Sequence, residues 1–152
     1  MSRAFVRETD DIVALPDRPI SPHPNFVTPQ GLTAIEHEIE SCNTAHAAAV
    51  AQSDKAAIAA AQRELRYWTA RRASAQVVPV PADKSKVYFG AVVSVRRGDG
   101  RTQSYRIVGE DQAEPSRGTL SHVSPLARAL FGKAVGDAVE FAGGDAEILD
   151  IK

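Results

Sequence analysis

Residues 47–61 read AAAVAQSDKAAIAAA, two alanine-rich runs interrupted by Gln52, Ser53, Asp54 and Lys55. Alanine is the strongest helix former, and serine or aspartate serves well at the residue that opens a helix. The break therefore predicts one helix ending and a second beginning after a tight reversal. The sequence on either side agrees. Upstream, Thr28 suits an N-cap with Pro29 at the first helical position, and Leu32, Ile35, Ile39, Cys42, His46 and Ala49 recur at three- and four-residue spacing. Downstream, Ile58, Ala61, Leu65 and Trp68 keep the same period. Two antiparallel helices can thus bury one seam between them, with small alanines allowing close approach at the reversal and Ile35, Leu65 and Trp68 filling the base. The first arm carries Glu36, Glu38 and Glu40, and the second carries a basic stripe of Arg63, Arg66, Arg71 and Arg72. Opposed arms of opposite sign attract, although each exposed pair adds only ~0.2–1 kcal/mol.

Before the hairpin, residues 1–27 contain Pro16, Pro19, Pro22 and Pro24, which fix φ and remove backbone donors, so an extended arm anchored by Ile12, Val13, Leu15 and Phe26 is expected, the alternative being a disordered tail. After it, residues 77–86 (VVPVPADKSK) read as a linker broken by Pro79 and Pro81. From residue 87 the period falls to two. VYFGAVVSV (87–95) and SYRIVG (104–109) are strand-like and enclose a turn at Gly98, Asp99 and Gly100, and GTLSHV (118–123) is a third strand. Ser124 then caps a short helix, PLARALFG (125–132), with Pro125 at its first position and Gly132 at its end. DAVEFA (137–142) and AEILDI (146–151) flank Gly143 and Gly144 as the last two strands. The expectation is an α+β chain: arm 1–27, antiparallel coiled-coil hairpin 28–76, linker 77–86, and a small β-sheet domain with one short helix over 87–152.

The 152 residues carry a formal net charge of −1, so no global field draws the chain onto nucleic acid or an anionic membrane. Cys42 is alone and cannot form an internal disulfide, which points to a reducing compartment. No stretch has the length of a signal-peptide core or a membrane span, and a cytoplasmic location is expected. His23, His37, His46 and His122 are scattered without ligand spacing, no nucleophile elbow is present, and the glycines read as turn formers. No catalytic residue, metal or cofactor is expected.

KVYFGAVVSV (86–95) and YRIVGEDQAEPSRGTLSHVSPLARALFGKAVGD (105–137) resemble the C-terminal domain of the bacterial GreA/GreB transcript-cleavage factors. VTPQGLTAIEHEIE (27–40) resembles the start of their coiled coil, and RYWTARRASAQVV (66–78) its end. The resemblance implies a helical hairpin followed by a domain of FKBP-like fold, which docks on RNA polymerase at the rim of the secondary channel while the hairpin enters it. It also implies a tip where two acidic residues help hold a magnesium ion at the polymerase active centre. That metal activates water to cut backtracked RNA.

Here the sequence departs from the family. Between Glu40 and Glu64 the single carboxylate is Asp54, whose ordinary role is to cap a helix. Matching both ends of the hairpin to the family leaves each arm short by about nine residues, or ~13 Å at about 1.5 Å per helical residue. The expected function is a non-enzymatic elongation regulator that binds RNA polymerase without stimulating cleavage, similar to short-hairpin relatives of the Rnk type. The alternative is a cleavage-stimulating factor that uses Asp54 with polymerase-bound magnesium. A prolyl isomerase rests on fold analogy alone, and the aromatic set of Tyr88, Phe89, Tyr105, Phe131 and Phe141 looks too small for such a pocket. By the resemblance, Ser121, His122, Val123, Ser124 and Pro125 approach the polymerase, although Ser124 and Pro125 also suit plain helix initiation; Arg128, on the same short helix, is added to this docking surface and otherwise reads as a solvated charge or a partner for Glu110 or Asp111. Leu126, Ala127, Leu130 and Phe131 read as core.

Overall fold

Thr28 opens the first helix as its spacing predicts. Its hydroxyl oxygen accepts from the Gly31 N–H at 2.9 Å and donates to Gln112 Oε1 at 2.7 Å. Helix α1 runs Pro29–Ala51 and helix α2 runs Lys55–Ser74 in the computed structural model, which describes residues 15–141 and 144–152. The reversal takes three residues. Ser53 adopts a left-handed φ of 52°, which turns the chain and brings the Asp54 N–H to the Ala49 carbonyl at 3.0 Å. Asp54 then caps α2, its Oδ1 accepting from the Ala57 N–H at 3.1 Å. Ile35, Cys42 and Ala49 on α1 and Ala59 and Ala61 on α2 are buried, while Ile39, His46, Ile58, Leu65 and Trp68 are half-buried.

Contacts divide the chain into two compact units. One joins the arm up to Ser21 with Glu36–Ala73, and the other joins Pro22–Ile35 with Ser74–Lys152. Within the first, charges meet across the helices at Arg72 and Glu36, 3.4 Å apart. Arg63 and Arg66 differ from the expected pairing with the glutamates of α1: both reach the arm, at Pro16, Leu15 and Asp17. An extended proline-flanked segment leaves its carbonyls without internal partners, and a guanidinium is a ready donor. Ile12 and Val13 lie outside the described residues.

In the second unit, strand β1 (Phe26–Val27) pairs in parallel with β2 (Gln76–Val77). The main sheet contains β3 (Val92–Arg97), β4 (Thr102–Val108), β5 (Thr119–Ser121), β6 (Ala138–Phe141) and β7 (Gly144–Ile151), in the order β5-β4-β3-β7-β6. All pairs are antiparallel except β4 with β5. Helix α3 (Pro125–Leu130) precedes β6 and buries Leu126, Ala127 and Leu130.

Alternation explains the core. Val93 and Val95 on β3, Tyr105 and Ile107 on β4, and Ala146 and Ile148 on β7 point inward together. A register shift between Ser94 and Val95 passes over Leu149, which lets Ile151 return to the core three residues after Ile148. The strand expected from Val87 begins only at Val92. Gly90 stands at φ 86°, and the Ala91 N–H bonds the Tyr88 carbonyl at 3.1 Å, so residues 87–91 form a turn that still buries Val87, Phe89 and Ala91. Gly143 lies outside the described residues.

Candidate functional site

The start of α3 organises the site. Ser124, with φ −66° and ψ 152°, accepts from the Ala127 N–H at 3.4 Å, and Pro125 occupies the first turn where no donor is needed. The helix is short because Gly132 takes φ 77° directly after Phe131. The chain is then clamped to the strand-like turn: Gly132 N–H donates to the Val87 carbonyl and Val87 N–H to the Lys133 carbonyl, each at 2.8 Å. Phe131 is left 49% exposed with its ring edge-on to Tyr88 at 5.8 Å. It was expected in the core; the three apolar positions that α3 turns inward are already Leu126, Ala127 and Leu130, and Phe131 falls beyond the last turn.

Beside α3 lies an apolar cleft of about 560 Å³ lined by Phe26, Val78, Phe89, His122, Arg128 and Phe131. The ring of His122 sits edge-on to Phe26 at 5.3 Å and to Phe89 at 5.6 Å, and Phe26 meets Phe89 at 6.1 Å. Edge-to-face is a preferred arrangement of paired rings. The cleft thus combines an aromatic floor with one guanidinium, a combination suited to an apolar side chain flanked by a carboxylate.

Of the expected docking residues, His122 and Arg128 line this cleft. Ser121 faces the loop instead, its Oγ accepting from the Val123 N–H at 3.2 Å, and Val123 is half-buried. Ser124 is engaged as a cap, and Pro125 is exposed. Phe26, Val78, Phe89 and Phe131 complete the cleft and are missing from the docking set expected from sequence. The signal for Phe26 was its apolar character next to an N-cap; nothing in the local pattern places it against residues about a hundred positions away.

At the hairpin tip Gln52, Ser53, Asp54 and Lys55 are all exposed. The tip does not fit a magnesium ion. One carboxylate is present, and one of its oxygens is engaged by a backbone amide. Among the described residues no group of three or more His, Cys, Asp or Glu side chains could hold a metal. The basic stripe is not one surface. Arg66 and Arg72 are exposed and Arg63 is half-buried, whereas Arg71 is 1% exposed.

Shifted ionisations lie away from the cleft. The Arg101 backbone amide, then its side chain, hold Asp99 below the usual carboxylate range, and the Ser85 hydroxyl and amide do the same for Asp83. Burial pushes the Cys42 thiol up, with Glu64 and Glu38 adding to the effect. No helix among the described residues is long and apolar enough to cross a membrane.

Residues 82–152 match the family model described as transcription elongation factor, GreA/GreB, C-term. GreB of Haemophilus influenzae is 34% identical over 134 residues, which cover 76% of this chain and 85% of that protein. GreB of Xanthomonas axonopodis pv. citri is 34% identical over 132 residues, covering 74% of this chain and 79% of that protein. Among solved structures, a GreA/GreB elongation factor from Nitrosomonas europaea aligns over 84% of this chain and 98% of its own, at 19% identity and a TM-score of 0.41. With a helical hairpin, a β-sheet unit carrying one short helix, and relatives matched over most of their length, the chain belongs to the GreA/GreB family of transcription elongation factors.

Proposed function

We propose that the chain docks on RNA polymerase near the secondary channel through its C-terminal domain, residues 87–152, and regulates elongation without stimulating transcript cleavage. The hairpin over residues 28–76 then occupies the mouth of the channel. The observation that carries the second half is the tip: Asp54 is the single carboxylate there, and it caps α2. A second magnesium ion at the polymerase active centre needs anionic oxygen donors delivered to the correct place, and a misplacement of about 1 Å already costs about a hundredfold in rate. Docking is assigned to the cleft beside α3, where Arg128 stands next to Phe131 and His122. In this reading the protein works in the cytoplasm.

The test uses stalled, backtracked elongation complexes with labelled RNA. The chain is expected to co-purify with core polymerase and to leave the rate of RNA shortening at its intrinsic value. Rapid shortening of the 3′ end would overturn the reading of the tip. Failure to bind polymerase would overturn the reading of the cleft.

A further inference from the structure

The arm residues 15–18 (LPDR) lie against one face of α2 through polar contacts. Arg63 Nε donates to the Pro16 carbonyl at 2.8 Å. Arg66 Nε donates to the Asp17 carboxylate at 2.5 Å, and its Nη2 to the Leu15 carbonyl at 3.3 Å. In the opposite sense, Arg18 Nη1 donates to Glu64 Oε2 at 2.7 Å, with its guanidinium over the Tyr67 ring at 3.7 Å and 5.7 Å from that of Trp68. Helical spacing sets this comb: Arg63, Arg66 and Tyr67 are three and four residues apart and share one face.

Two features separate this segment from a structural staple. Its apolar residue is not in the core, since Leu15 is 40% exposed, and Ile20 just beyond it is 47% exposed. Its ion pairs are themselves partly exposed, a setting in which such pairs contribute little and exchange with solvent readily. Pro16 and Pro19 meanwhile hold the chain extended, so little conformational entropy is lost when it docks, as in recognition of proline-rich segments by aromatic grooves. The face reads main-chain carbonyls, one carboxylate and one stacked cation, which is the recognition pattern of a peptide.

We propose that residues 15–18 are a built-in pseudoligand. They cover, in cis, a face of α2 that binds an extended, proline-containing segment of a partner protein bearing an adjacent acid and base once they leave. The proposal is independent of docking through the cleft. Tethering supplies the covering segment at an effective concentration near millimolar for a short linker, so a free competitor engages only when the cis contacts are weakened.

The chain contains one tryptophan, Trp68, beside this face, so emission reports the cover directly. The full-length double variant Asp17→Ala, Arg18→Ala removes one acid and one base and keeps the formal net charge. It is expected to shift Trp68 emission to the red, to raise acrylamide quenching, and to retain wild-type helicity by circular dichroism. A labelled LPDRPI peptide should bind this variant at least tenfold more tightly than the wild-type chain by fluorescence anisotropy. Adding Arg63→Gln and Arg66→Gln should remove that binding. Unchanged emission, equal peptide binding by both proteins or by neither, or loss of helicity in the double variant would each overturn the proposal. So would a freed face that takes a single-stranded 12-nucleotide RNA and not the peptide.

Discussion

A methyl group at Gly109 would sit 2.3 Å from the Phe26 carbonyl oxygen, so this glycine is required by contact, its own φ being an ordinary −70°. Because the clash is with backbone, relief requires moving the segment that leads into α1. Gly109→Ala is expected to destabilise the chain by about 1–3 kcal/mol, the usual range for overpacking. Gly98, with nothing within 4 Å of the added group, should tolerate alanine to within about 0.5 kcal/mol. Urea unfolding of the two variants checks the contrast. Sequence alone could not separate them, because a local pattern holds no information about a carbonyl some eighty residues away. Cys42 makes a second residue-scale prediction. Burial favours its neutral thiol and raises the folded pKa above that of the unfolded chain, so this contribution is complete below the unfolded value of about 8.5 and fades as pH rises through the folded value. Unfolding followed from pH 7 to 10 should show a loss at high pH that Cys42→Ala reduces, and Ellman's reagent should react slowly with the native thiol.

Helices and strands were legible to different depths. The two long helices were legible because a period near 3.6 persists over twenty residues, and because Thr28 and Asp54 mark their starts with side chains that can bond the first free amides. Removing the second of these caps, Asp54→Ala, is expected to cost about 0.5–2 kcal/mol of hairpin stability, read as a lower melting temperature by circular dichroism. The stretch 87–91 misled because alternation of Val87, Phe89 and Ala91 is what a strand shows. A turn with Gly90 at positive φ can bury the same residues. The candidate cleft was half legible. His122 and Arg128 belong to the loop and helix that carry the family resemblance, whereas Phe26 and Val78 arrive with β1 and the residue following β2, elements of two residues each that no periodicity can announce.

At the scale of the molecule, the arms of 23 and 20 helical residues span roughly 35 and 30 Å at about 1.5 Å per residue, and end in Gln52–Lys55. A chain that docks by one domain and presents a tip without paired carboxylates would obstruct a channel without working in it. On the proposed docking, titrating the protein into backtracked complexes that already contain a long-hairpin cleavage factor of the family should slow cleavage toward the intrinsic rate. The half-effect concentration should rise with the concentration of the longer factor, as simple competition requires. Arg128→Glu combined with Phe131→Asp replaces a cation and an aromatic ring with two carboxylates in the cleft and should abolish competition, while leaving the melting temperature close to wild type because both side chains are exposed. Asp54→Ala should compete as well as the wild-type chain, since its carboxylate serves the start of α2. If Asp54→Ala instead lost an acceleration of cleavage that the wild-type chain displayed, the carboxylate would be a metal ligand, and the protein would be a cleavage factor despite its short hairpin.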